Sequence, residues 1–279
     1  ASINMLQDIV DIGDIDVIFN ACVGITKKRE QANVVAMLEL LDIPFVGSSL
    51  STQILGLHKS VSKRLFRTAG VPTTNFQVFF SGEEKLDKSL KFPLIVKPEH
   101  EGSSLGITNE SVVFNEEDLY ARVRYTIEEF QQSALVEEFV PGREFTIGVL
   151  GTVDPQVLPI IEIIYDSNGG ENIQTVEIKA LDQVTQVCPA NLSKEKTEKL
   201  KNYALRVFEA LGCSELARID VRMDKNENPF FIEINTLPGM QPDYSDFPRV
   251  AKAAGYDYNQ LVEVLIQQAI AGAKSKAKK

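Results

Sequence analysis

Several features are scarce or missing in this 279-residue chain. Cysteine is confined to Cys22, Cys188 and Cys213, an odd number without Cys-x-x-Cys spacing. That excludes a disulfide frame and fits small core residues in a reducing compartment. No apolar run reaches membrane-spanning length and no leader-like segment opens the chain, so the expectation is a cytoplasmic protein with no membrane partner. Positive charge is in deficit, 29 Lys and Arg against 39 Asp and Glu for a net charge of −10. Nucleic acid is thereby excluded as a partner held by bulk electrostatics, and an acidic protein that binds a nucleotide must focus its few cations in the site. Internal repeats and low-complexity segments are absent, as is a glycine loop ending in Gly-Lys-Ser/Thr, which excludes a Walker-type phosphate loop. What remains is an ordinary globular mixture, 44% apolar and 24% charged. It is long enough for one large domain or two to three small ones.

The most informative stretch is residues 217–240, ARIDVRMDKNENPFFIEINTLPGM. Two runs of alternating character, 217–223 and 229–235, flank the turn-forming Asp224-Lys225-Asn226-Glu227-Asn228, a β-hairpin pattern with one buried face. A two-residue period places Arg218, Asp220 and Arg222 on one face of the first strand, and Phe231, Glu233 and Asn235 on one face of the second. Ile219, Val221, Ile232 and Ile234 are expected on the buried face. Two carboxylates and an amide carbonyl converging from neighbouring strands suit Mg²⁺ (or Mn²⁺), which shares its shell with phosphates. Arg218 would add a permanent cation beside them, and the turn Thr236-Leu237-Pro238-Gly239-Met240 would bring backbone N–H groups near. A surface hairpin with solvated charges is the competing reading, and spacing alone leaves both open.

A second motif follows the strand pattern of residues 92–98, which ends in Lys97. The run Glu99-His100-Glu101-Gly102-Ser103-Ser104-Leu105-Gly106 has the small residues that let backbone N–H groups approach phosphate oxygens, while Lys97 supplies a point charge. His100 is expected to face solvent in a structural role. Helical spacing is read over 3–12, 30–41, 48–57, 59–69, 116–131 and 195–211, the last capped by Ser193. Closing helices are expected over 249–254 and 259–271, followed by a frayed basic tail from 274. Lys63 and Arg64 are expected to be solvated. Residues 134–146 read as strand, turn, strand, and an exposed strand edge there would offer the acceptor and backbone donor that a purine needs. Charges blocking edge aggregation are the alternative.

Together these residues resemble ATP-grasp ligases, most closely the D-alanine–D-alanine ligase group, through Glu233-x-Asn235-Thr236-x-Pro238-Gly239-Met240, the Lys97–Gly106 loop and the order Gly47-Ser48…His58-Lys59…Gly70-Val71-Pro72. The resemblance implies an α+β fold of ATP-grasp type, two α+β subdomains clamping ATP, preceded by a partial α/β N-terminal layer. The expected divisions are 1–48, 49–137 and 138–279, the last carrying the metal site. It further implies that Asp220, Glu233 and Asn235 hold Mg²⁺ and that Lys59 and Lys97 steady phosphates with Gly102, Ser103 and Ser104. Glu137, Glu138, Phe139 and Val140 would hold adenine, and Glu144 the ribose. Arg218 and the Gly239 backbone would stabilise the transferring groups, with Ser103 and Ser245 orienting substrate.

The implied activity is an ATP-dependent carboxylate–amine ligase that forms a peptide-type bond through an acyl phosphate, in peptidoglycan and cell-wall synthesis. Its partners would be small carboxylate and amine substrates of amino-acid type, with a homodimer among the expected assemblies. The resemblance thins on the substrate side. No residue matches the family's N-terminal Glu, residues 20–30 depart from its glycine-rich loop, and residues 166–186 lack its Lys-Tyr pair, leaving the role of Lys179 open. Unpaired burial of an amino-acid ammonium is costly, so D-alanine is expected to be used poorly while ATP is handled as in the family. A nucleotide-binding module without ligase activity is the alternative.

Overall fold

The computed structural model describes residues 4–22, 31–102, 105–165 and 184–276. Near the N-terminus, α1 (Met5–Ile12), β1 (Ile18–Phe19), α2 (Gln31–Leu40) and β2 (Phe45–Val46) form a small α/β layer in which β1 and β2 pair in parallel. α2 buries Val34, Val35 and Leu38 at helical spacing. Two short helices follow, α3 (Leu50–Leu57) and α4 (Lys59–Thr68). Ser49 caps the first by accepting from the Thr52 N–H.

A four-stranded antiparallel sheet comes next, ordered β3 (Phe76–Phe79), β6 (Ala134–Glu138), β4 (Leu94–Pro98), β5 (Val112–Val113). Helix α5 (Glu116–Phe130) covers it, packing Leu119 and Val123 against Phe79, Val96 and Val136. The larger sheet is ordered β10 (Val184–Val187), β9 (Ile161–Tyr165), β7 (Arg143–Leu150), β11 (Leu216–Met223), β12 (Pro229–Asn235), with β8 (Gln156–Val157) beside β7. On one face α6 (Lys194–Ala210) contributes Leu200, Ala204, Val207 and Phe208 to a core that also takes Phe66 of α4. On the other face α7 (Asp246–Ala253) and α8 (Tyr258–Lys276) pack Phe247, Val250, Leu261 and Leu265 against Leu158 and Ile161. α8 continues to Lys276, so the helix runs past 274, where the tail was expected to fray. Among the described residues no helix is long and apolar enough to cross a membrane.

The 217–240 hairpin forms as its alternation requires, and Asp224 closes its turn by accepting from the Asn226 and Asn228 N–H groups, each at 2.8 Å. One expectation is corrected. The register runs Asp220 opposite Glu233 but Val221 opposite Phe231, so a β-bulge inserts Ile232. A bulge breaks the two-residue alternation. Phe231 therefore lies fully buried in the core, not beside Glu233, and Ile232 turns out of it to line a cleft. Phe231→Ala should cost about 3–5 kcal/mol of stability in urea unfolding, the range for truncating a core aromatic. Ile232→Ala should cost distinctly less. Equal losses would contradict the bulged register.

Candidate active site

The cleft lies between the two larger sheets, and it is lined by Ile95, Lys97, Ile107, Glu137, Glu138, Phe139, Val140, Glu144, Asp220, Val221, Arg222, Ile232 and Glu233. Eight of the expected site residues thus meet in one cavity, although they come from five strands and the segment that follows β6. Asp220 and Glu233 face each other across the β11–β12 ladder. The Arg218 guanidinium grips Asp220 with two bonds, Nη2 to Oδ2 at 2.8 Å and Nε to Oδ1 at 3.1 Å. Thr146 Oγ1 and Asn235 Nδ2 also donate to this carboxylate, at 2.9 and 3.2 Å. Burial works against the Arg218 cation, but Asp220 and Asp246 outweigh it and hold its pKa above the ordinary value.

Arg218 also reaches Asp246 at 3.5 Å, Gln186 Nε2 donates to Asp246 at 2.8 Å, and Arg249 donates to Gln186 at 2.7 Å. This chain of contacts ties the carboxylate centre to residues 241–248. Ser245 of this segment comes close to Gly239. A Cβ at Gly239 would stand 2.7 Å from Ser245 Oγ, so a larger residue there would force that hydroxyl to move. Ser245 Oγ accepts from the Gln241 N–H at 3.1 Å.

The cation side is built differently from the expectation. Lys63 is completely buried, not solvated: it lies 2.6 Å from Glu137 and donates to Thr73 and Thr74 hydroxyls at 3.0 Å each. Lys97 pairs with the other oxygen of Glu137, and Thr74 Oγ1 donates to Glu137 at 2.5 Å. Burial would raise the Glu137 pKa, but Lys63 and Lys97 outweigh it and bring it down to about 2. Burial likewise opposes the charge on Lys97, yet Glu137 and Glu233 keep its pKa raised. The Lys59 pKa is lowered by burial, with Glu233 opposing. Its ammonium donates to the Glu101 carbonyl.

The exposed strand edge expected at 134–138 is not there. β6 lies between β3 and β4, with both edges paired. The Phe139 N–H donates to the Pro93 carbonyl at 3.0 Å, and Glu138 accepts from Asn75 and the Lys91 N–H. The apolar walls of the cleft are Ile95, Ile107, Phe139, Val140 and Ile232. Glu144 accepts from the Tyr165 hydroxyl at 2.7 Å and from Arg222 at 2.8 Å. Arg222 donates as well to the Val140 carbonyl at 2.7 Å and lies over the Phe139 ring, 5.1 Å from its centroid. Alternation placed Arg222 on the right face but carried no sign of these partners, and nothing in the spacing pointed to Tyr165, Thr146 or Thr74.

Gly102 and Gly106 bracket the glycine loop. Gly106 has φ +78°, and a Cβ there would stand 2.8 Å from Phe130 and Pro98. Arg122 fixes this end by donating to the Gly106 carbonyl at 2.9 Å. Ser103, Ser104, Lys179 and the altered loop from 23 onward lie outside the described residues. His100 is half-buried, where solvent exposure was expected, and stands with His58 around Glu99.

Two α+β halves around a cleft of opposed carboxylates and buried lysines define an ATP-grasp enzyme, an ATP-dependent ligase that forms carbon–nitrogen bonds. The family described as D-ala D-ala ligase C-terminus matches residues 65–267. A D-alanine–D-alanine ligase of Pelotomaculum thermopropionicum is 32% identical over 266 residues, 92% of this chain and 80% of the relative. Among solved structures, a Bacillus anthracis D-alanine–D-alanine ligase complexed with ATP superposes with a TM-score of 0.80 at 28% identity, covering 98% of this chain and 86% of the other. The VanG D-Ala:D-Ser ligase of Enterococcus faecalis gives 0.77 at 26% identity, covering 91% and 73%. The chain belongs to the D-alanine–D-alanine ligase family.

The buried Lys63–Glu137–Lys97 cluster makes a specific prediction. Glu137→Gln takes from two buried ammonium groups the carboxylate they contact directly, which should cost about 3–5 kcal/mol in urea unfolding at neutral pH. A carboxylate whose folded pKa is depressed contributes stability above its unfolded pKa and loses it as pH falls through the folded one. The window here lies between the ordinary value of 4.5 and about 2. The parent should lose stability on acidification across that window more steeply than the variant; parallel acid slopes would contradict the pairing.

Proposed function

We propose that the cleft joins two small amino acids at the expense of ATP, with the residues acting as follows. The observation that carries this is the opposition of Asp220 and Glu233 within reach of the Lys97 charge. Directly opposed like charges destabilise an antiparallel pair, and hard oxygen donors beside a phosphate-binding lysine fit Mg²⁺ or Mn²⁺. Asp220, Glu233 and Asn235 would hold the ion. Bound there, it supplies neutralisation of charge on phosphoryl oxygens. The Asn235 amide nitrogen is committed to Asp220, which leaves its carbonyl oxygen for ligation.

The clamp is the four-stranded sheet against the larger sheet, within the divisions 49–137 and 138–279, and residues 1–48 form the accessory layer. Adenine lies between Ile95, Ile107, Phe139, Val140 and Ile232, with Glu138 at the rim and Glu144 on the ribose. Glu137 serves this pocket by fixing Lys97. Lys59, Lys97, Gly102, Ser103 and Ser104 hold the phosphates. A carboxylate oxygen of the first amino acid attacks the γ-phosphorus, and the bond to the bridging oxygen breaks as ADP leaves. The amine of the second attacks the acyl carbon and gives up a proton, and inorganic phosphate leaves. Arg218 and the Gly239 N–H are placed to stabilise charge at these centres. Ser245 orients substrate from the loop that Arg218 tethers through Asp246. The reaction is assigned to the cytoplasm, where ATP is available, and to supplying a dipeptide for cell-wall peptidoglycan.

Relatives named D-alanine–D-alanine ligase support D-alanine as the acyl donor and weigh against the expectation that it is used poorly. Glu233→Gln should remove amino-acid-dependent phosphate release by at least about a hundredfold while the circular dichroism melt stays near that of the parent, because the variant keeps volume and loses a charged ligand. Near-parental turnover across a Mg²⁺ titration would sink the metal assignment.

A second measurement addresses the substrates. ATP-dependent phosphate release with D-alanine alone, and with D-alanine paired with D-serine or L-amino acids, should show turnover wherever D-alanine is present. Turnover that needs no D-alanine would move the donor assignment to another amino acid, and ATP binding with no turnover in any combination would favour a binding module.

A further inference from the structure

The chain has two histidines, and both stand on one carboxylate outside the ligase site. His58 is the residue before α4, and Glu99 and His100 follow β4. His58 Nδ1 lies 2.7 Å from Glu99 Oε2, and His100 Nδ1 lies 3.4 Å from the same oxygen. The His100 nitrogen is itself buried and makes no hydrogen bond. The two rings stand 5.0 Å apart between centroids. Glu99 is held for this role by its other oxygen, which accepts from the Ser60 N–H at 3.0 Å and the Ser60 hydroxyl at 2.7 Å. The His100 backbone is pinned by Gln132 at 2.9 Å.

We propose that His58, Glu99 and His100 form a binding site for a zinc-class divalent cation, separate from the Asp220–Glu233 centre. Two imidazole nitrogens and a carboxylate are the donor set such ions select, whereas Mg²⁺ prefers oxygen alone. Ligand atoms around a tetrahedral zinc at about 2.0–2.1 Å stand about 3.4 Å apart. The two contacts on Glu99 Oε2 are at or below that, and all three donors lie within 4.8 Å of one another. A small rotation of the rings, whose side chains keep 37% of their exposure, brings them to a common centre with a fourth position open to solvent. Ser60 is then the outer partner that orients the carboxylate ligand.

The location gives the site a consequence. The Lys59 N–H donates to the Glu99 carbonyl at 3.1 Å and its ammonium to the Glu101 carbonyl. An ion on His58, Glu99 and His100 therefore cross-links the residue before Lys59 to the start of the glycine loop.

The test is zinc binding to the whole chain, by equilibrium dialysis in millimolar Mg²⁺ to occupy the oxygen centre. One zinc per chain should be retained, with a rise in melting temperature. Affinity should fall at least about tenfold in His58→Gln, in His100→Gln and in Ser60→Ala, and stay unchanged in Glu233→Gln. Undiminished zinc binding by the double histidine variant would overturn the proposal. Because the chain has two histidines, the parent alone also decides the matter: both imidazole ring-proton NMR signals should shift together on zinc addition. A spectrum in which either stays fixed would overturn it, whatever the variants' folding.

Discussion

Two carboxylates facing each other on adjacent strands are the constraint around which this molecule is arranged. Asp220 and Glu233 occupy opposed positions in an antiparallel ladder, where like charges repel at short range. The fold answers with cations and donors from distant parts of the chain. Arg218 clasps Asp220 from the same strand, and Thr146 and Asn235 donate to it from the strands on either side. Lys97, Lys59 and Lys63 all feel Glu233, and each is buried. A chain with a net charge of −10 has thus gathered three lysines and an arginine about one cleft, a concentration that ATP phosphates require and that bulk charge could not supply.

Those cations need counter-charges of their own, because an unpaired buried ammonium is costly. Glu137 stands between Lys63 and Lys97 and so fastens α4 to the small sheet at the end of β4. Glu144 does the same for Arg222, which in turn holds the Val140 carbonyl and the Phe139 ring. Arg218, Asp246, Gln186 and Arg249 are linked in series, so the paired carboxylates and the segment that carries Ser245 share a guanidinium.

The matched residues 65–267 contain Lys97, the glycine loop, Glu144 and the hairpin. The same span also contains residues 166–186 and Ser245.

The residues by themselves determined the hairpin, its turn at Asp224, the helices and the convergence of Asp220 with Glu233, because these depend on local period and turn chemistry. Lys97 before a glycine loop was legible for the same reason. Tertiary structure alone decided the rest. The bulge at Ile232 exchanged the places of Phe231 and Ile232, an event set by how β12 packs on the core and not by any pattern along the strand. Lys63 carries an ordinary helix-surface spacing, and only the approach of β6 turned it into a buried ion-pair partner. The strand of Glu137 read as an edge because alternation cannot report strand order, and β3 and β4 closed both sides of it. Period-two and period-3.6 signals report which way a side chain points, while the partner it meets is fixed by contacts between residues far apart in the chain.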